Sequence, residues 1–153
     1  MEELNVIIDV SGSMYSMGKT SVVGNVLSTL SALEVFDDEC SKFSVTKMQW
    51  DGTSKTLESL FEKCRNSNSL FLTDGYALTD NCKSSKVIKA FLEEEKEQFF
   101  VVLCGGDSIN ISALKDFKRV QTVYADNVLY AVGCFLNSKE LGAKQNKTEE
   151  DWK

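Results

Sequence analysis

Apolar residues along this chain fall into two kinds of run that take turns. Short, unbroken runs occupy 4–10 (LNVIIDV), 69–75 (SLFLTDG) and 99–106 (FFVVLCGG), with a weaker one at 120–125 (VQTVYA). Such runs, without in–out alternation, suit strands buried on both faces. Between them apolar residues recur at steps of three and four. They are Val22, Val23, Val26, Leu27, Leu30, Leu33 and Phe36 in 19–37, then Leu57, Leu60 and Phe61 in 51–64. Val87, Ile88, Phe91 and Leu92 follow in 83–98, then Ile111, Leu114 and Phe117, and last Val128, Ala131, Val132, Phe135 and Leu136. Each set predicts a helix with one apolar face. The stretch 42–50 (KFSVTKMQW) alternates at Phe43 and Val45, then at Met48 and Trp50, one step out of phase. It predicts an edge strand with a bulge, or two tiny strands joined by a turn. The alternation of strand and helix predicts an α/β fold: Rossmann-like and doubly wound, with a mostly parallel central sheet and helices on both faces. Nothing divides residues 1–136, which read as one domain; 137–153 read as a polar C-terminal tail.

Composition narrows the functional classes. The 153 residues are 42% hydrophobic and 26% charged, ordinary for a globular protein. A net charge of -6 argues against a basic surface for nucleic acid. No apolar run nears the roughly 20 residues that span a bilayer, and the acidic start MEELNVIIDV leads straight into a strand, unlike a signal peptide. There is no histidine, which removes Ser–His and Cys–His nucleophile pairs and the usual zinc sites. The five cysteines form no C-x-x-C pair and read as reduced thiols of a cytoplasmic protein.

Candidate chemistry is concentrated at the ends of the strands. Two patterns compete in IIDVSGSMYSMGKT, residues 7–20. Gly12, Gly18, Lys19 and Thr20 imitate a phosphate-binding loop, which would make this a nucleotide-binding enzyme with Asp74 on Mg²⁺. However, five residues rather than four separate the two glycines, and Asp9 at the loop entrance would repel phosphate. Lys19 and Thr20 fit better as the first turn of a helix. Asp9, Ser11 and Ser13 instead form D-x-S-x-S, an oxygen-only donor set; by themselves they also suit a turn capping a helix. Thr53 lies in a DGTS turn, with Ser54 and Thr56 nearby, and Asp74 ends a strand. Ligands of open α/β sheets bind beyond the carboxyl ends of the strands where strand order reverses. If the strands ending at Asp9 and Asp74 are neighbours, two carboxylates and three hydroxyls converge. That set suits a hard cation, Mg²⁺ or Mn²⁺, with Ca²⁺ as an alternative.

The order IIDVSGSM, DGTS, LFLTDG resembles the von Willebrand factor A (vWA) domain over about the first 136 residues, with a reduced sheet edge. The resemblance implies a metal-ion-dependent adhesion site made by Asp9, Ser11, Ser13, Thr53 and Asp74. It also implies a function: the ion takes an Asp or Glu from a partner protein, and no catalytic step follows. A chain without signal or anchor resembles the intracellular branch of the family, whose members work beside AAA+ ATPases, kinases or phosphatases in stress and defence systems. Met14, Tyr15 and Met17 beside the ligands read either as packing under the loop or as an apolar rim where the partner docks. A metal-free vWA-shaped structural subunit is a further alternative. Asp107 reads as a helix cap, and the acidic run 93–97 as a solvated helix end.

Overall fold

The computed structural model describes residues 2–36, 43–94, 98–106, 108–117 and 119–143. Five strands, β1 (Glu2–Asp9), β2 (Phe43–Trp50), β3 (Asn68–Thr73), β4 (Phe99–Leu103) and β5 (Gln121–Tyr124), form one sheet in the order β2-β1-β3-β4-β5. Every neighbouring pair is parallel. The helices are α1 (Lys19–Phe36), α2 (Ser54–Cys64), α3 (Tyr76–Ser84), α4 (Lys86–Glu93), the single turn α5 (Ser112–Lys115) and α6 (Val128–Ala143). This is the doubly wound α/β architecture that the alternating runs predict.

The sheet separates two cores, and the strand period of two sorts residues between them. Val6 and Ile8 of β1, Leu70 and Leu72 of β3, and Phe100 and Val102 of β4 pack under α1 and α6, against Val26, Leu30, Ala131 and Phe135. Ile7, Phe71 and Val101 point the other way, into Leu57, Phe61, Leu78, Ile88 and Phe91 of α2, α3 and α4. Phe61 stacks on Phe91 at 4.2 Å and meets Phe71 edge-on at 5.8 Å.

Three expectations change. The phase break in β2 is neither a bulge nor a turn, because β2 pairs with β1 without interruption from Glu2–Phe43 to Asp9–Trp50. Val45 is covered by the first core and Met48 and Trp50 by the second, so the apolar pattern changes face while the backbone continues. The helix expected over 83–98 is the shorter α4, and Lys83 and Ser84 end a separate helix, α3, that the apolar spacing does not predict. Ser85, in extended conformation, ends α3 and caps α4 by accepting the Ile88 amide at 3.2 Å. Val87 is exposed, while Ile88, Phe91 and Leu92 face inward as expected. Finally, α6 continues to Ala143, into the segment read as tail. Asp107 and residues 95–97 lie outside the described residues, as do 144–153 of the tail.

Candidate functional site

Strands β1 and β3 are neighbours, so the sheet order reverses between β2–β1 and β1–β3, and the loops after β1 and β3 diverge at that point. Asp9 ends β1 and Asp74 follows β3; both carboxyls are buried, at 2% and 0% exposure. The condition set for convergence is met for these two residues. Asp9 Oδ1 accepts the Ser11 amide at 2.8 Å, which folds the D-x-S turn back on its own carboxylate. Asp9 Oδ2 accepts the Thr73 hydroxyl at 2.7 Å. Burial pushes the Asp9 carboxyl above its usual range; the bonds from Ser11 and Thr73 pull the other way, and the Asp74 charge adds to the rise.

After Ser11 the chain makes a 3-10 turn, Gly12–Tyr15, before α1 begins at Lys19. The Ser11 Oγ is buried beside the Asp9 carboxyl, whose proton affinity it helps to lower. Ser13 is half-buried, and its carbonyl accepts Lys19 Nζ at 3.3 Å. The same ammonium donates to Asp74 Oδ2 at 2.9 Å in an ion pair with both side chains at or below 1% exposure. Asp74 Oδ1 accepts the Tyr76 amide at 3.1 Å. The Lys19 ammonium, the lysine of the phosphate-loop pattern, is thus directed inward in this structure, onto Asp74 and the Ser13 carbonyl.

The DGTS loop reaches the site through Gly52. A Cβ there, at φ +96°, would stand 3.0 Å from Ser11 Cβ. Thr53 is exposed, and its amide and hydroxyl donate to Asp51 Oδ1 at 3.0 and 2.8 Å. These bonds hold the Asp51 carboxyl below its usual range. The Thr53 hydroxyl also lies 2.9 Å from that of Thr56. The structure therefore brings together the side chains of Asp9, Ser11 and Asp74 and, through Lys19, the Ser13 carbonyl, and places the Thr53 loop alongside with its hydroxyl engaged locally.

The expected rim divides. Met14 is buried in the first core, whereas Tyr15 and Met17 are exposed at 67% and 78%. Tyr76 joins them, half-exposed, with Lys19 Nζ 5.2 Å from its ring centroid. Lys19, Thr73 and Tyr76 are the site residues that motif reading misses. One signal for Lys19 was present: a lysine in the first turn of a helix opposes the helix dipole, so a compensating acid was to be expected. Cys104, fully buried behind the site, is pushed up to about 12 by burial and by the Asp74 and Asp9 charges, so its thiol stays protonated.

The donors gathered here are oxygen only: two buried carboxylates, the buried Ser11 hydroxyl and a second serine, with the Lys19 ammonium already on Asp74. Among the described residues no group of three or more carboxylate, thiol or imidazole side chains gathers to hold a metal, so hydroxyls would have to complete any coordination.

No protein-family model matches the chain, and no curated protein matches it. Among solved structures, it is similar to the crystal structure of a "putative lipoprotein" (fragment) from Peptoclostridium difficile 630, with a TM-score of 0.50 and 12% identity over 92% of this chain and 99% of that one. At that identity the likeness shows the doubly wound fold and nothing finer.

Proposed function

We propose that this chain is a protein-interaction module of the vWA type that depends on a divalent cation. Asp9, Ser11, Ser13 and Asp74, with Thr53 on the adjoining loop, would hold Mg²⁺ or Mn²⁺, with Ca²⁺ as the alternative. The observation that carries the reading is the pair of buried carboxylates, Asp9 and Asp74, at the point where strand order reverses, with the buried Ser11 hydroxyl beside Asp9. Burial works against an ionised Asp9, and a cation held there offsets that cost. When bound, the ion supplies a Lewis-acidic position for an Asp or Glu of a partner protein.

This chain's own part is to bind and orient. Thr73 and the Ser11 amide fix Asp9, the Tyr76 amide fixes Asp74, and the exposed Tyr15, Met17 and Tyr76 offer apolar surface around the mouth. The role is binding without catalysis, supported by the lack of histidine and the protonated Cys104 thiol. A reducing, cytoplasmic setting accords with four free cysteines among the described residues. No helix among them is long and apolar enough to cross a membrane. By analogy, the partner would belong to an assembly with an AAA+ ATPase or a kinase and phosphatase in a stress or defence system.

Calorimetric titration with MgCl₂ and MnCl₂ tests the reading. Wild type should bind one ion, with the affinity reduced about tenfold or more in Ser11→Ala and abolished in Asp9→Ala. A null titration for wild type equal to that of Asp9→Ala removes the metal. A pull-down with and without chelator then identifies partners released when the ion is withdrawn.

A further inference from the structure

Lys19 is the one ammonium that reaches the site's carboxylates among the described residues, and it reaches only Asp74. It enters from the first turn of α1, beneath the loop after β4. A Cβ on Gly105 would lie 3.1 Å from Lys19 Cε, so the lysine stem is covered by backbone that a larger residue would displace. The ammonium thus has two hydrogen-bond acceptors, Asp74 Oδ2 and the Ser13 carbonyl, and one exposed aromatic face nearby, the Tyr76 ring. Ser13 and Asp74 are also two of the proposed metal ligands. Two cations that share Asp74 at this range repel each other strongly in a partly buried setting. An ammonium on Asp74 and a divalent ion in the same donor set are therefore competing states.

We infer that Lys19 is a tethered counter-cation that closes the site in the metal-free protein, and that ion binding requires its ammonium to leave Asp74 for the mouth, over the Tyr76 ring. The inference rests on the metal-binding reading above and adds its regulation. A tethered competitor sets a threshold: the site fills only where the free divalent concentration outweighs the lysine. Without an ion, Lys19 spares Asp74 from standing as a buried, unpaired charge, which keeps the loop after β1 folded. Metal entry exchanges one Asp74 partner for another and moves the ammonium toward solvent, and the Tyr76 ring, which it already faces at 5.2 Å, borders the way out.

The test uses the full chain. Lys19→Met removes the charge and retains most of the stem. It should bind Mg²⁺ and Mn²⁺ about tenfold or more tightly than wild type, while Lys19→Arg should not tighten binding. Lys19→Met also unpairs Asp74, so the variant should melt lower than wild type without metal and gain more in melting temperature from saturating Mg²⁺. If it folds only with metal, that dependence is the same result. In wild type, mass spectrometry after brief acylation should show Lys19 protected without metal and labelled at saturating Mg²⁺. Binding by Lys19→Met equal to or weaker than wild type, or Lys19 still protected in ion-bound protein, overturns the counter-cation and leaves the metal site standing. If neither wild type nor Lys19→Met binds an ion, both readings fall together.

Discussion

Thr73 is the residue that joins the site to the sheet. Its hydroxyl donates to Asp9 Oδ2 at 2.7 Å and accepts the Gly75 amide at 3.0 Å, with the side chain fully buried. Thr73→Val keeps the shape and removes both bonds. One of them is to a carboxylate, so the unfolding free energy should fall by about 2–3 kcal/mol in urea titration; a loss under about 0.5 kcal/mol would mean that water replaces the hydroxyl. The variant should also weaken Mg²⁺ binding, because Asp9 loses its fixed orientation. Thr73 was not readable as functional from the sequence, where it is one β-branched residue in an apolar strand. Its role comes from parity and register: Ile8 pairs with Leu72, so the next residues on each strand, Asp9 and Thr73, stand side by side on one face. The meeting of Asp9 and Asp74 was foreseeable because each stands at a strand end, and it needed only that β1 and β3 be neighbours. Lys19 was visible as the lysine of a broken phosphate-loop pattern and as part of the first turn of a helix, but its pairing with Asp74 depends on tertiary placement.

The short elements after β3 place Asp74 and were the least visible from apolar spacing. Helix α3 has a mostly polar surface, and its buried apolar residues are Leu78 and Cys82, one helical turn apart, too few to register as a face. It is nonetheless tied to the loop after β2. Asn81 Nδ2 donates to the Gly52 carbonyl at 2.9 Å, and Asn81 Oδ1 accepts the Ser54 hydroxyl. Helix α3 begins at Gly75, in left-handed conformation at φ +89°, where a Cβ would stand 1.9 Å from the Asn110 carbonyl oxygen. Meanwhile the Asn110 amide donates to the Asp74 carbonyl at 2.8 Å. Gly75→Ala meets both an unfavourable φ and backbone it cannot move cheaply. It should cost about 2–4 kcal/mol in thermal or urea unfolding. A loss below about 1 kcal/mol would show that the backbone at Asn110 yields freely. The longer elements were readable as types because their periodicity extends over several turns or both faces. Their boundaries were set by contacts that periodicity does not record, such as Ser85 capping α4 while its hydroxyl donates to Glu58 Oε2 at 2.7 Å.

At the scale of the molecule, the two cores hold the sheet from both faces, and the site at its carboxyl end carries the charge that the cores exclude. Asp9 is the expensive member, since Lys19 neutralises Asp74 while burial works against an ionised Asp9. A carboxyl whose pKa is raised by folding binds its proton more tightly folded than unfolded. Between the ordinary aspartate value of 3.8 and the raised value, the folded state holds a proton that the unfolded chain has released. Stability from this group is thus fully present below 3.8 and is lost as pH rises through the folded pKa. Asp9→Asn removes the titration while the other carboxyls titrate alike in both proteins, so the difference between the two isolates Asp9. Without metal, Asp9→Asn should gain on wild type as pH is raised from about 3 to about 8, and the two should converge at the acid end. A difference independent of pH would show that Asp9 is not strained when ionised. Saturating Mg²⁺ at neutral pH should reverse the order, stabilising wild type, whose carboxylate gains a cation, and leaving Asp9→Asn unmoved. The same carboxylate that costs stability in the free protein is then the one whose charge the ion requires, the expected relation where a buried site is kept for binding rather than for the fold.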